Sequence, residues 1–319
     1  SLAAMMKLAY VRDGEWRSAD GRCLDASAQA QLQQQVLDGT LIRRLEFERF
    51  DPDRVSGNCR LTLRSNGTPS NRISVAERDL PAELPQGWRV LNLNDGVADV
   101  EIVDGGTLFV DSPRRLAVQS AGQLRNGFDP AELYNSRFHP RGLQLAIIGA
   151  SDAVRASGLE WQTIVDRVRA DEIAVYAASA MAQLDGDGTG GMLQARLRGN
   201  RVSSKQLPLG LNTMPADFIN AYVLGSVGTT GANAGACATF LYNLRLAVED
   251  IRSGRRRVVV IGNAEAPLIP EVIEGYAAMS ALATDENLCR LDGRETPDYR
   301  RASRPFGDNC GFTLGESSQ

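Results

Sequence analysis

Gly225-Ser-Val-Gly-Thr-Thr-Gly-Ala-Asn-Ala-Gly-Ala-Cys237-Ala-Thr-Phe-Leu-Tyr-Asn-Leu244 sets one cysteine at the joint between a strand and a helix. Behind it, Phe240, Leu241, Leu244, Val248 and Ile251 recur at three- and four-residue steps, which predicts a helix running to about Ser253, with Gly254 as its stop. Ahead of it, the small residues from Gly228 to Ala236 suit a tight turn that another backbone or a substrate approaches closely. A helix N-terminus carries unpaired N–H groups and about half a positive charge, which favours thiolate over thiol. The same N–H groups can hold an oxyanion, so the place suits a nucleophile. The competing reading is a buried cysteine acting as a small hydrophobe.

Four further stretches decide between these readings: Val258-Val-Val-Ile-Gly-Asn-Ala-Glu265-Ala, Gly275-Tyr-Ala-Ala-Met-Ser-Ala-Leu-Ala-Thr284, Ala302-Ser-Arg-Pro-Phe306 and Gly311-Phe-Thr-Leu-Gly-Glu316. With Gly-Ala-Cys237-Ala-Thr, their order and spacing resemble the β-ketoacyl-ACP synthases over roughly residues 135–319. The bacterial long-form synthases of fatty-acid type are the nearest in character.

A chain of 319 residues with a net charge of −4 is large enough for two domains and has no general attraction to nucleic acid or an anionic membrane. Any basic patch is therefore local. No run of eighteen apolar residues occurs and the N-terminus does not read as a signal peptide, so a cytoplasmic protein is expected. The five cysteines are odd in number and scattered, which argues for reduced thiols and against zinc.

Residues 1–125 read as an N-terminal α+β appendage of unknown role. A helix is expected near Ala28–Leu37, strands at Val90–Leu93, Asp99–Val103 and Thr107–Val110, and a hairpin turn at Asn66-Gly67 between Arg60–Arg64 and Asn71–Val75. From Asn126 the pattern alternates: helices over Leu143–Ala156 and Glu160–Arg169, then a short buried strand at Ile173–Tyr176, as in a layered α/β core. Asp185-Gly-Asp-Gly-Thr-Gly190 imitates a calcium loop, but Arg196 stands where a bidentate carboxylate is needed, so no metal is expected. Gly225-x-x-Gly228-x-x-Gly231 lacks dinucleotide-loop spacing. The sole histidine, His139, lies just before a helix and reads as structural rather than as a base for Cys237.

The resemblance implies an α/β, thiolase-like five-layered α/β/α/β/α sandwich, of which residues 126–319 supply mainly the first half, carrying the nucleophile. The family's opening strand and glycine-rich turn are not found at the start of the chain. Its two active-site histidines are expected downstream of the Gly-Phe-x-x-Gly-Glu segment, beyond Gln319. In the implied chemistry Cys237 is acylated by a thioester and then condenses with the enolate of malonyl-ACP. By offset from Cys237, Met181 and Tyr276 fall beside the acyl pocket, Leu207–Leu211 reach toward a partner's pocket, and Met214–Leu224 lies in a homodimer interface. Plain core packing is the alternative for Met181 and Tyr276. Arg196, Arg198, Arg201 and Lys205 offer a local basic rim for an acyl carrier protein, with Arg201 and Lys205 the chosen docking residues; a solvated loop is the bland alternative. Arg255-Arg-Arg257 instead complements a helix C-terminus. Ser280 departs from family members that carry a basic residue there. No cofactor is expected, since phosphopantetheine arrives on the carrier or on CoA. Acyl-CoA or acyl-ACP is the expected substrate. The alternatives are a different cysteine-dependent acyltransferase or hydrolase, and a non-catalytic partner subunit.

Overall fold

The computed structural model describes residues 2–39, 41–64, 71–103, 106–225, 227–304, 306–307 and 311–319. They form two compact units, Ser1–Arg49 with Ala117–Gln319, and Phe50–Leu116. This differs from the division expected at residue 125, because the first 49 residues cluster with the α/β part of the chain.

The larger unit opens with α1 (Leu2–Met5) and the hairpin β1 (Ala9–Arg12) and β2 (Glu15–Ser18). Its two-residue turn is Asp13-Gly14, both at positive φ (54° and 80°), the pairing whose twist matches the flanking strands. The expected helix follows as α2 (Ala26–Asp38), capped by Asp25, whose carboxylate accepts from Ala28 N at 2.8 Å. Next, β3 (Leu41–Arg44) precedes the smaller unit.

That unit is built of β4 (Asn58–Leu63), β5 (Asn71–Ala76), β6 (Trp88–Asn94), β7 (Val97–Ile102) and β8 (Gly106–Asp111). The three strands expected here are present as β6, β7 and β8. The Asn66-Gly67 turn lies outside the described residues, and the pairing expected across it is corrected: β4 pairs with β8, and β5 with β7 in the order β5-β7-β6. Alternation marks a strand but not its partner. Central β7 buries Ala98, Val100 and Ile102, and it takes its neighbours on both sides.

Back in the larger unit, β9 (Ser120–Gln123) pairs antiparallel with β3. The sequence reading found no strand here because Gln119, Ser120 and Gln123 are polar yet buried. The Gln123 amide donates to Arg44 O at 2.9 Å and accepts from Glu46 N at 3.1 Å, which replaces solvent. There follow α3 (Arg141–Ala156), α4 (Trp161–Arg167), β10 (Ile173–Ala178), α5 (Thr189–Ala195), α6 (Gln206–Leu209) and α7 (Met214–Ile219), which runs on into a π-helical turn over Asn220–Leu224. After these come β11 (Thr229–Gly231), α8 (Thr239–Arg252), β12 (Val258–Glu265), α9 (Pro270–Ala278), α10 (Asp285–Asp292) and β13 (Ser317–Ser318).

The sheet order is β11-β10-β12-β13, with the first three parallel and β13 antiparallel. All six residues of β10 are buried, as a parallel strand covered on both faces requires. On one face Leu145, Ala146 and Ala150 of α3 and Ala216 and Ile219 of α7 pack on Val175, Ala177 and Ala264. On the other, Ala247 of α8 packs on Ala174 and Tyr176. Helix, sheet and helix make an α/β/α layering, the layered α/β core that the sequence led one to expect.

Candidate active site

The carboxyl ends of adjacent parallel strands collect functional loops at one edge of a sheet. Here β10 leads to Met181, β11 leads to Cys237, and β12 ends on Glu265. Cys237 is exposed and stands two residues before the first residue of α8. The turn that carries it is tied to the helix behind. Ala238 N donates to Gly235 O at 2.9 Å and Thr239 N to Ala236 O at 3.1 Å. Ala236 holds a φ of +49°, a left-handed conformation that costs an alanine on the order of 1 kcal/mol. A Cβ on Gly235 would run into the Tyr242 ring, which would have to move aside.

Two buried polar side chains hold that strained turn. Thr239 Oγ1 accepts from Gly235 N at 3.0 Å and donates to Ala236 O at 2.7 Å. One helical turn on, Asn243 accepts from Asn233 N at 3.0 Å and donates to Asn233 O at 3.1 Å and Thr239 O at 2.9 Å. The sequence reading missed both residues. Their signal was present: polar residues four apart on the face that continues as Ala247 and Asp250, all four buried.

Met181 and Tyr276 are brought together, with Tyr276 Oη 4.0 Å from Met181 Sδ. The Tyr276 ring also meets Phe312 edge-on at 5.3 Å between centroids. Met181 sits in a turn whose next residue, Ala182, has a φ of +62°. Glu265 fastens the turn: its carboxylate accepts from Ala180 N and, at 3.0 Å, from Ser179 Oγ. Burial pushes the Glu265 carboxyl above the ordinary glutamate range, against the pull of these donors.

Arg201 and Lys205 are both exposed. Lys205 Nζ lies 3.3 Å from the centroid of the Phe138 ring, and Arg137 Cζ lies 4.7 Å from it. Phe138 is itself exposed and at a φ of +69°, so a strained backbone presents an aromatic face to two cations. Among the described residues no carboxylate forms an ion pair with Arg137, Arg196, Arg198, Arg201 or Lys205, which leaves the rim positive. By contrast Arg255 and Arg256 do complement a helix end: both backbone N–H groups donate to Asp250 O, and the Arg255 guanidinium reaches the buried Asp250 carboxylate at 2.5 Å.

His139 is buried, with Nδ1 3.0 Å from Tyr134 Oη and Nε2 3.2 Å from Tyr222 Oη. One tyrosine donates and the other accepts, so both ring nitrogens are occupied. Burial lowers its affinity for a second proton. The Asp185 loop caps α3, with the carboxylate accepting from Arg141 N at 2.7 Å. Among the described residues no group of three His, Cys, Asp or Glu is placed to hold a metal ion, and no helix is long and apolar enough to cross a membrane.

A profile of the "Beta-ketoacyl synthase, N-terminal domain" family matches residues 108–318. The match starts ahead of β9. The chain is 52% identical over 319 residues to the β-ketoacyl-[acyl-carrier-protein] synthase FabY of Pseudomonas aeruginosa, covering 100% of this chain and 50% of that protein. It is 29% identical over 213 residues to 3-oxoacyl-[acyl-carrier-protein] synthase 2 of Staphylococcus aureus, covering 63% of this chain and 47% of that one. The crystal structure of the noncanonical ketosynthase FabY from P. aeruginosa superposes with a TM-score of 0.92 over 99% of this chain and 50% of that chain. A β-ketoacyl synthase from Burkholderia phymatum, at 19% identity, 64% of this chain and 47% of that one, shares the fold with a TM-score of 0.51. The chain thus spans about half the length of the relatives it matches.

Proposed function

The chain belongs to the β-ketoacyl synthase family, and from that premise we propose that it carries the nucleophile of a fatty-acid-forming decarboxylative condensation. The Cys237 thiolate attacks the carbonyl of an acyl thioester, the carrier or CoA thiol leaves, and the backbone N–H of Cys237 helps hold the tetrahedral oxyanion. A malonyl thioester then loses CO2. Its enolate attacks the acyl-Cys237 carbonyl, a carbon–carbon bond forms as the acyl carbon–sulfur bond breaks, the Cys237 thiolate is regenerated, and the 3-ketoacyl thioester, two carbons longer, leaves. Met181 and Tyr276 line the acyl site. Arg201 and Lys205, joined by Arg137 and Phe138, receive the acyl carrier protein, and charge complementarity of this kind acts chiefly on encounter. The protein works in the cytoplasm as a homodimer and brings no cofactor of its own, the phosphopantetheine arm arriving with the substrate.

The observation that carries this reading is an exposed cysteine on a strained, clamped turn at the start of α8. Incubating the full-length protein with acetyl-CoA and mapping the digest by mass is expected to place the acetyl group on Cys237. Malonyl-carrier is expected to remove it with release of a 3-ketoacyl product. Discharge to water or another acceptor without malonyl would favour a different acyltransferase, and no adduct at all would favour a non-catalytic subunit.

A further inference from the structure

We propose that Glu265 is a positioning residue that sets how long an acyl chain the site admits, acting through Met181; this rests on the reading of Met181 and Tyr276 as the wall of that site. Glu265 closes β12, and two strand residues earlier Asn263 pairs with Ala178, the last residue of β10. The carboxylate therefore reaches across from the end of one strand to the turn that follows its neighbour. It accepts the backbone N–H of Ala180 and, at 3.0 Å, the hydroxyl of Ser179, and the N–H of Met181 also bears on it.

Ser179 is fully buried, and the only other hydrogen-bond partner described for its hydroxyl is Ala182 O at 3.2 Å. The turn also bends through a left-handed alanine, Ala182, with a φ of +62°. A turn of that conformation persists where its surroundings over-determine it. One side is fixed by backbone bonds from Ser179 N to Asn212 O at 2.9 Å and from Gln183 N to Gly210 O at 3.1 Å. Glu265 fixes the other. Between these two anchorages stands Met181, an unbranched side chain that by itself adapts to whatever space it is given. Its sulfur nevertheless meets Tyr276 Oη at 4.0 Å, and Tyr276 is braced in turn by Phe312. Holding the backbone at Ala180 and Met181 thus converts a pliable side chain into a defined wall.

The test uses the full-length protein and a series of saturated acyl-CoAs from two to eight carbons, comparing wild type with Glu265→Ala, Glu265→Asp, Glu265→Gln, Met181→Ala and the Met181→Ala/Glu265→Ala double variant. Glu265→Ala is expected to raise the kcat/KM ratio of the longest to the shortest substrate by about tenfold, the discrimination that one or two methylenes provide in an apolar pocket. Met181→Ala should do the same, and the double variant should add nothing further, because both act on one wall. Glu265→Gln keeps an acceptor for Ala180 N and can donate to Ser179 Oγ, so its ratio should return to that of wild type. Glu265→Asp, which withdraws the carboxylate by one methylene, should fall between, and it carries the test if the alanine variant does not fold. A Glu265→Ala or Glu265→Asp variant that loses activity equally at every chain length, while Met181→Ala shifts the ratio, would overturn the role of Glu265 and leave the acyl wall standing. An unchanged ratio in Met181→Ala would remove the wall itself.

Discussion

Cys237 takes its setting from a hydroxyl two residues away. Thr239 Oγ1 both accepts from Gly235 N and donates to Ala236 O, so one buried group holds the two residues ahead of the thiol. Replacing it by valine keeps the shape but takes the acceptor from the part-buried Gly235 N–H and leaves Ala236 O with the Thr239 N–H alone, a loss of about 1 kcal/mol at the turn. Thr239→Val in the full-length protein is expected to slow alkylation of Cys237 by iodoacetamide at least severalfold, measured on the Cys237 peptide across pH. Thr239→Ser retains the hydroxyl and is expected to remain close to wild type. Equal rates in wild type and Thr239→Val would mean that the thiol's reactivity does not depend on the clamp. The cysteine itself was legible in the sequence, because small residues followed by a helical repeat leave one position at the junction. The clamp was not read, because its one signal, polar residues spaced four apart with Ala247 and Asp250 on the same face, was overshadowed by the larger apolar stripe on the other side.

Helix α8 makes the same point across a whole element. The three- and four-residue steps of Leu241, Leu244, Val248 and Ile251 located the helix, and its end at Arg252 agrees with that reading. They do not mark its packed face. The face against the sheet carries Thr239, Asn243, Ala247 and Asp250, whereas the four apolar residues are exposed in this chain. Asp250 is accommodated there by Tyr176 Oη, which donates to it, and by Arg255. Periodicity reports that a helix has two faces, and the larger side chains were the natural guess for the inner one. β9 was hidden for a related reason, since Gln119 and Gln123, at its two ends, are polar yet buried, with side-chain partners at Arg44 and Glu46 in place of solvent. An apolar stripe of this length on a helix is expected to be covered in the assembled enzyme by a further layer, as the five-layered fold has it. Leu244→Asp in the full-length protein should then cost about 2–5 kcal/mol in denaturant unfolding, the range for disrupting a buried leucine. A cost within about 0.5 kcal/mol would show the stripe to be solvent-facing there too.

At the scale of the larger unit, the segments before and after the smaller unit are joined by one buried carboxylate. Glu316, whose side chain is fully buried, receives Arg49 from the first segment, the Arg141 guanidinium from α3 at 2.7 and 3.1 Å, and Leu124 N at 2.9 Å. Sequence reading placed Glu316 in a family motif but could not join it to Arg49, because nothing local relates residues so far apart in the chain. Burial alone would raise the Glu316 carboxyl, but the hydrogen bonds from Arg141 and the two positive charges outweigh it and hold it below the ordinary glutamate range. The sign of its pH effect follows. A carboxyl bound more weakly to protons in the folded state stabilises fully above the unfolded value of about 4.3, and the stabilisation is lost as pH falls through the lower folded value. Asp185 and Glu265, raised by burial, act in the opposite sense, their cost being relieved as pH falls. The total acid curve therefore cannot isolate Glu316, but a difference can. Glu316→Gln removes the charge and leaves Arg49 and Arg141 facing each other without it, which should cost about 3–5 kcal/mol near neutrality. The gap between wild type and Glu316→Gln in urea unfolding should hold constant from pH 7 down to about 5 and then shrink as the wild-type carboxylate is protonated. A gap that stayed the same at pH 3, or one that never exceeded about 1 kcal/mol, the worth of an exposed pair, would mean that this network does not hold the two segments together.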